Sequence, residues 1–168
     1  CAKDHAAYLF TSGTTGVPKA CMLTHENFIS DCWLAQHWMN IYPDDVFYAI
    51  LPIHHAYTML AVLIEGISSG ANVIFGKKLI INQLFKEMRE GGVTMFLAVP
   101  LLFNKLIQAM MKGVKEKGPI VYGLIRCMMS ISGFIKKVFH VNPGKKMFGF
   151  ILKKVSLDKI RICIAGGG

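Results

Sequence analysis

Acidic residues are scarce in this sequence. Its 168 residues carry 10 Asp and Glu against 19 Lys and Arg, a formal net charge of +9 at pH 7. Most of the excess falls between Lys112 and Arg161. Such a balance suits anionic partners, whether phosphates, lipid headgroups or nucleic acid, and a plain solvated basic face would look the same. No recognised nucleic-acid motif or aromatic stacking platform accompanies the charge, so nucleic acid is not an expected partner. Long apolar runs are also missing. Residues 57–75 are interrupted by Glu65, and residues 119–139 by Arg126, Lys136 and Lys137. Neither window offers the roughly 20 apolar residues of a spanning helix, which leaves an interfacial helix open. The five cysteines, Cys1, Cys21, Cys32, Cys127 and Cys163, form no CxxC pair and are odd in number. Neither a zinc site nor a disulfide framework is implied, and a reducing cytoplasm fits. Internal repeats and low-complexity segments are absent. There is no initiator Met or targeting signal, and the last residues, RICIAGGG, break off where a strand meets a loop. The chain therefore reads as an internal piece of a longer protein.

What is present is an apolar composition, 53% hydrophobic with 17% charged residues, arranged as short apolar runs alternating with helical patterns. Strands are expected at 7–10, 20–23, 46–51, 72–75, 93–99 and 160–165. Helices are expected at 24–39, with the Thr24 hydroxyl capping the Asn27 amide, and at 56–68, 82–90 and 100–111. Tyr42 to Asp45 reads as a turn, and Pro52 ends the strand before it. Strand, helix, strand, helix is the rhythm of crossover units, so the fold class is α/β with a largely parallel sheet. Residues 113–154 break the rhythm. There Ile120, Leu124, Met128, Ile131, Ile135 and Phe139 recur at helical spacing among lysines, the pattern of a basic helical insertion.

The chemistry concentrates in FTSGTTGVPKA, residues 10–20. A strand that runs into small residues frees backbone amides to face an anion, because glycine turns the chain without a side chain in the way. Hydroxyls add donors and can ligate Mg²⁺, and a lysine supplies a movable positive charge. The result is a phosphate cradle, with a polar surface turn as the competing reading. A Walker loop is excluded, since its lysine directly follows the second glycine, whereas here Lys19 comes three residues after Gly16. A GxGxxG fingerprint is missing as well.

With those residues in view, FTSGTTGVPKA resembles the phosphate signature YTSGTTGxPKG of the adenylate-forming superfamily: acyl-CoA synthetases, luciferases and peptide-synthetase adenylation domains. Eight of the nine positions from Thr11 to Lys19, all but Val17, agree. Phe10 replaces the tyrosine, and Ala20 replaces the final glycine, which asks the backbone there to avoid positive φ. LPIHHAY, residues 51–57, resembles the family's LPLFH segment and puts His55 on the position that lines the acyl and adenylate site. His54 keeps a structural reading, since neighbours on a strand point to opposite faces. FLAVPLLFNKL, residues 96–106, is similar to the VPRLYEKI segment of long-chain fatty acyl-CoA ligases, with Leu101 where an arginine is common. ICIAGGG resembles SGGAPL, whose glycines lie against adenine and the acyl group.

The resemblance implies an incomplete N-terminal domain of the acyl-CoA synthetase and luciferase-like fold over residues 1–168, with the C-terminal domain absent. It implies ATP-dependent activation of a carboxylic acid, a long-chain fatty acid by the insertion's likeness, to an acyl-adenylate and then a coenzyme A thioester. Thr11, Ser12, Gly13, Thr14, Thr15, Gly16 and Lys19 would hold the phosphates, with Thr14 on Mg²⁺ and Lys19 on the β and γ phosphates. Gly166 and Gly167 would face the nucleotide, and His55 would position the reacting carboxylate. The later acidic Mg²⁺ ligand, the ribose-binding aspartate and the mobile lysine of the family lie outside this chain, so the piece alone is expected to be inactive. An adenylation domain that loads a carrier protein, and a basic membrane-surface module over 113–154, stand as alternatives.

Overall fold

The computed structural model describes residues 1–11, 16–141, 143–154 and 157–166. The chain forms two compact units, Cys1–Phe75 and Gly76–Gly168.

The first unit opens with β1 (His5–Thr11) and β2 (Lys19–Thr24), an antiparallel pair in which Phe10 faces Ala20 and Thr11 faces Lys19. Helix α1 (His25–Met39) starts where the sequence places it. The Asn27 amide donates to Thr24 Oγ1 at 3.3 Å, and the Thr24 amide donates back to Asn27 Oδ1 at 2.9 Å, a reciprocal capping box. Asn40 closes the helix in the left-handed region with φ 48°. In the expected turn, the Asp45 amide donates to the Tyr42 carbonyl and the Tyr42 amide donates to the buried Asp45 carboxylate. Next comes β3 (Val46–Ala49), shorter than the expected 46–51 because the chain turns at Pro52, whose carbonyl accepts the His55 amide. The connection that follows is helical over the span expected from sequence, but not uniformly so. A turn of α2 (Ala56–Thr58) leads into a π-helical segment, Met59–Ile64, and then α3 (Glu65–Ser68). It delivers the chain to β4 (Asn72–Phe75), which pairs parallel with β3.

Gly66 lets α3 lie close against these strands. A Cβ built there would stand 2.5 Å from Val73 Cγ2 and 3.6 Å from Phe47 Cδ2. Beside it, Glu65 is only 1% exposed, and neither carboxyl oxygen meets a donor with full hydrogen-bond geometry among the described residues. Burial pushes its pKa above the ordinary carboxylate value, partly offset by the nearby Cys32 and Gln36 side chains.

The second unit begins with α4 (Ile81–Gly91), stopped by Gly92 at φ 64° as the glycine pair predicts. β5 (Met95–Ala98) is buried at every residue, and it pairs parallel with β6 (Ile162–Ala165). Between them lie α5 (Pro100–Lys115), α6 (Pro119–Phe139), α7 (Gly144–Met147) and α8 (Gly149–Lys154). Helix α5 opens on Pro100, where a missing amide costs nothing. It outruns its expected end at residue 111, since Val114 is buried and carries one more turn. The α/β class with parallel strands and helical crossovers is thus observed, and residues 113–154 are almost wholly helical.

Two outcomes follow from the packing around α3. Gly66→Ala must displace the stiff, β-branched Val73, so chemical denaturation should show a loss of about 1–3 kcal/mol. For Glu65, a folded-state pKa above the unfolded one means the native state holds its proton more firmly. Its stability contribution is complete below the unfolded carboxylate pKa and is lost as pH rises through the folded value. Glu65→Gln should flatten that part of the denaturation profile and raise the neutral-pH midpoint; an unchanged profile would show that Glu65 carries no such linkage.

Candidate active site

Three of the four sequence motifs fall just beyond the carboxyl end of a parallel strand. LPIHHAY follows β3, the Pro100 helix follows β5, and Gly166 follows β6. Carboxyl ends of strands are where open α/β sheets place their ligands, because each strand there hands over to a loop that can carry function.

The fourth motif is the connection between β1 and β2. Thr11 ends one strand and Lys19 begins the next as register partners, with Thr11 Oγ1 donating to the Lys19 carbonyl at 3.4 Å. Both side chains are exposed. The hairpin therefore pairs a hydroxyl-bearing and a lysine residue across the two strands at the mouth of the loop. Gly16 adopts φ 78°, a conformation strained for other residues, and nothing lies within 4 Å of the position a Cβ would take. Its requirement is thus conformational rather than one of space. Ala20, which stands where the signature has glycine, lies within β2 and is not among the positive-φ residues. Ser12, Gly13, Thr14, Thr15 and Gly167 lie outside the described residues, and so does the expected Mg²⁺ contact through Thr14.

His55 precedes α2 in extended conformation, φ −83° and ψ 136°, and its side chain is exposed. The expectation that His54 and His55 point to opposite faces does not hold. The strand has already ended at Ala49, and in the turn that replaces it the two rings approach to 4.3 Å between centroids, tilted by 44°. Either ring could therefore face the same ligand. Tyr57, two residues on, was not singled out from sequence. Desolvation raises its phenol pKa, so it stays a neutral hydrogen-bonding group near neutral pH. Its place at the end of LPIHHAY is the signal that could have marked it. In the second unit the Gly166 amide donates to the Ala98 carbonyl at 3.2 Å, which fixes the start of the glycine run against the end of β5. Among the described residues no cluster of His, Cys, Asp and Glu could hold a metal ion.

The second unit also contains an apolar cavity of about 500 Å³. It is lined by Ile107, Met110 and Val114 of α5, Ile125 of α6, Phe148 between the two short helices and Leu152 of α8, among others. Among the described residues, none of the predicted site residues lines it.

Known proteins resemble this chain in sequence and fold. The chain is 30% identical over 160 residues to fatty acyl-CoA synthetase B of Dictyostelium discoideum, a match covering 94% of this chain and 23% of that protein. It is 34% identical over 103 residues to 4-coumarate–CoA ligase 3 of Oryza sativa subsp. japonica, covering 58% of this chain and 18% of the relative. Among solved structures, MatB of Rhodopseudomonas palustris with ATP bound superposes with a TM-score of 0.59 at 31% identity, over 64% of this chain and 21% of that one. The chain thus spans about a fifth of the length of these relatives. A family model described as "AMP-binding enzyme" matches residues 1–168, and with the phosphate signature on its hairpin and three motifs at strand ends, the chain belongs to the AMP-binding enzyme family.

Proposed function

We propose that the protein containing this chain is an ATP-dependent acid–thiol ligase that activates a long-chain fatty acid. A carboxylate oxygen attacks the α phosphorus of ATP, the α–β anhydride bond breaks, and pyrophosphate leaves an acyl-adenylate. The thiolate of coenzyme A then attacks the acyl carbonyl and AMP departs. The first step is electrostatically difficult, because one anion must approach another and further negative charge builds on the leaving group. Lys19 and Thr11, register partners at the hairpin mouth, are suited to neutralise the leaving pyrophosphate. Gly16, with Ser12 to Thr15, would turn backbone amides toward the same phosphates. Mg²⁺ would spread the same charge; its assigned ligand, Thr14, is outside the described residues, and no step is derived through it. Gly166 and Gly167 would leave room for the nucleotide. His55 would orient the carboxylate, with Tyr57 close by as a neutral donor.

The observation that carries this reading is the signature hairpin with Thr11 and Lys19 in register. Chain length is the finer point. A match to a fatty acyl-CoA synthetase that covers 94% of this chain has to include most of the helices between α5 and β6. The apolar cavity, whose volume is within the range of small-molecule sites, favours a fatty acyl substrate over an aryl acid.

In the full-length protein, Lys19→Ala should slow ATP–pyrophosphate exchange by about 100-fold, the scale set by losing one preorganised donor to developing charge. Carboxylate binding should be little changed, and exchange at the parental rate would remove Lys19 from the reaction. His55→Ala should cut acyl-adenylate formation roughly tenfold or more through misplacement of the carboxylate. Run across acids of increasing chain length, the same exchange assay should favour long alkyl chains; preference for coumarate would overturn the substrate assignment and leave the ligase reading in place.

A further inference from the structure

None of the reaction steps above takes place in the apolar cavity of the second unit, and its position in the fold accounts for that. Parallel pairing of β5 and β6 obliges the crossover, α5 first, to run back from the carboxyl end of β5 toward the amino end of β6. The first α5 residue to line the cavity is Ile107, seven residues after Pro100 and so roughly 10 Å along the helix, and the last is Val114. Leu157 and Ile160 line it before β6 begins at Ile162, and Cys163 lines it from near the start of that strand. The cavity therefore lies toward the amino end of β6, whereas Gly166 and the Pro100 turn stand at the carboxyl ends of the strands. Its chemistry is equally one-sided. Among the described lining residues none is charged. A carboxylate drawn inside would lose its water without gaining a partner, so the lining selects an uncharged occupant.

We infer that this cavity is a second ligand site, which binds an uncharged alkyl chain away from the reacting carboxylate. Met110, Met111 and Met129 are among its lining side chains. Unbranched thioether chains reshape around an irregular guest, which suits a flexible alkyl chain better than one rigid ring system. An apolar space of this kind stays dry and accepts an apolar guest in place of water. Cys163 reports on the same space. It is exposed, yet desolvation pushes its thiol above the ordinary value, the combination shown by a thiol that faces an apolar opening. A fatty acyl enzyme meets alkyl chains throughout its work, which is how the cavity bears on the substrate class without being the seat of the reaction. The inference stands without the ligase reading, because its readout is binding.

The test uses the full-length protein and 1-decanol, which has an alkyl chain and no carboxylate to adenylate. Alkylation of each cysteine by N-ethylmaleimide is followed by peptide mass spectrometry. With decanol at about ten times its dissociation constant, Cys163 should be alkylated about tenfold more slowly, since only empty protein reacts. Cys127, exposed on α6 and not among the lining residues, should react at its usual rate. Met129→Glu places a charge in the lining and should weaken decanol binding about tenfold or more, and Ile107→Glu should do the same. Leu124→Glu, on α6 but outside the lining, should leave binding unchanged. All three side chains are exposed, so each variant should keep the parental melting temperature. The inference is overturned if decanol leaves the Cys163 rate of the parent unchanged, or if Leu124→Glu weakens binding as much as Met129→Glu. It is equally overturned if decanol competes with the carboxylic acid in pyrophosphate exchange and Met129→Glu relieves that competition, which would make the cavity part of the reacting site. Absence of exchange in the parent would remove the ligase reading and leave the binding result standing.

Discussion

Parallel strands cannot be joined by a two-residue turn, so β3 and β4 are separated by a helical crossover, and β5 and β6 by a longer one. Much else follows from that condition. Helices laid over a sheet bury its faces, which is why β5 is buried at every residue and reads as a continuous apolar run rather than an alternation. Because the chain enters each crossover at the carboxyl end of a strand, the loops that follow β3, β5 and β6 are the places where polar chemistry can be displayed. His55 and Gly166 occupy two of them. The phosphate signature sits differently, on an antiparallel hairpin, and there the cross-strand register brings Thr11 and Lys19 together.

The same packing accounts for the less regular features. The crossover between β3 and β4 admits a π segment, a widened turn that shifts helical phase, and immediately afterwards Glu65 is carried inside while Gly66 meets Val73. A buried carboxyl with no full hydrogen bond is an expense in stability that the surrounding apolar contacts must offset. In the crossover between β5 and β6, α6 has one side committed to α5 and the cavity and another left open, with basic residues around it. An extension of that kind adds a surface without disturbing the strand pair it interrupts, since β5 and β6 still meet in register from Met95 with Ile162 to Ala98 with Ala165.

Features set by local chemistry were legible in advance. The capping box at Thr24, the left-handed stop at Gly92, the proline start of α5 and the span of β4 each depend on a few neighbouring residues, and each is found where those residues put it. The signature between β1 and β2 was recognisable for the same reason, as its glycines, hydroxyls and lysine stand at fixed spacing within one connection. Less accessible were features governed by residues far apart in sequence. Helix α5 continues beyond residue 111 because Val114 finds a buried place, and propensity around Gly113 says nothing of that. The histidine rings come together because β3 ends early at the turn before α2, whereas a strand of the expected length would have separated them.

By itself, the sequence determined the α/β class, the signature pattern of residues 11–19, and the membership that four ordered motifs express. Those properties rest on periodicity and on short-range spacing, which survive without any knowledge of distant contacts. Tertiary structure alone decided which side of α6 is covered, where Glu65 is buried, how the β1–β2 register pairs Thr11 with Lys19, and how closely α3 approaches Val73. Burial and register arise from pairings between segments far apart in the chain, and no local pattern encodes which partner a given face will meet.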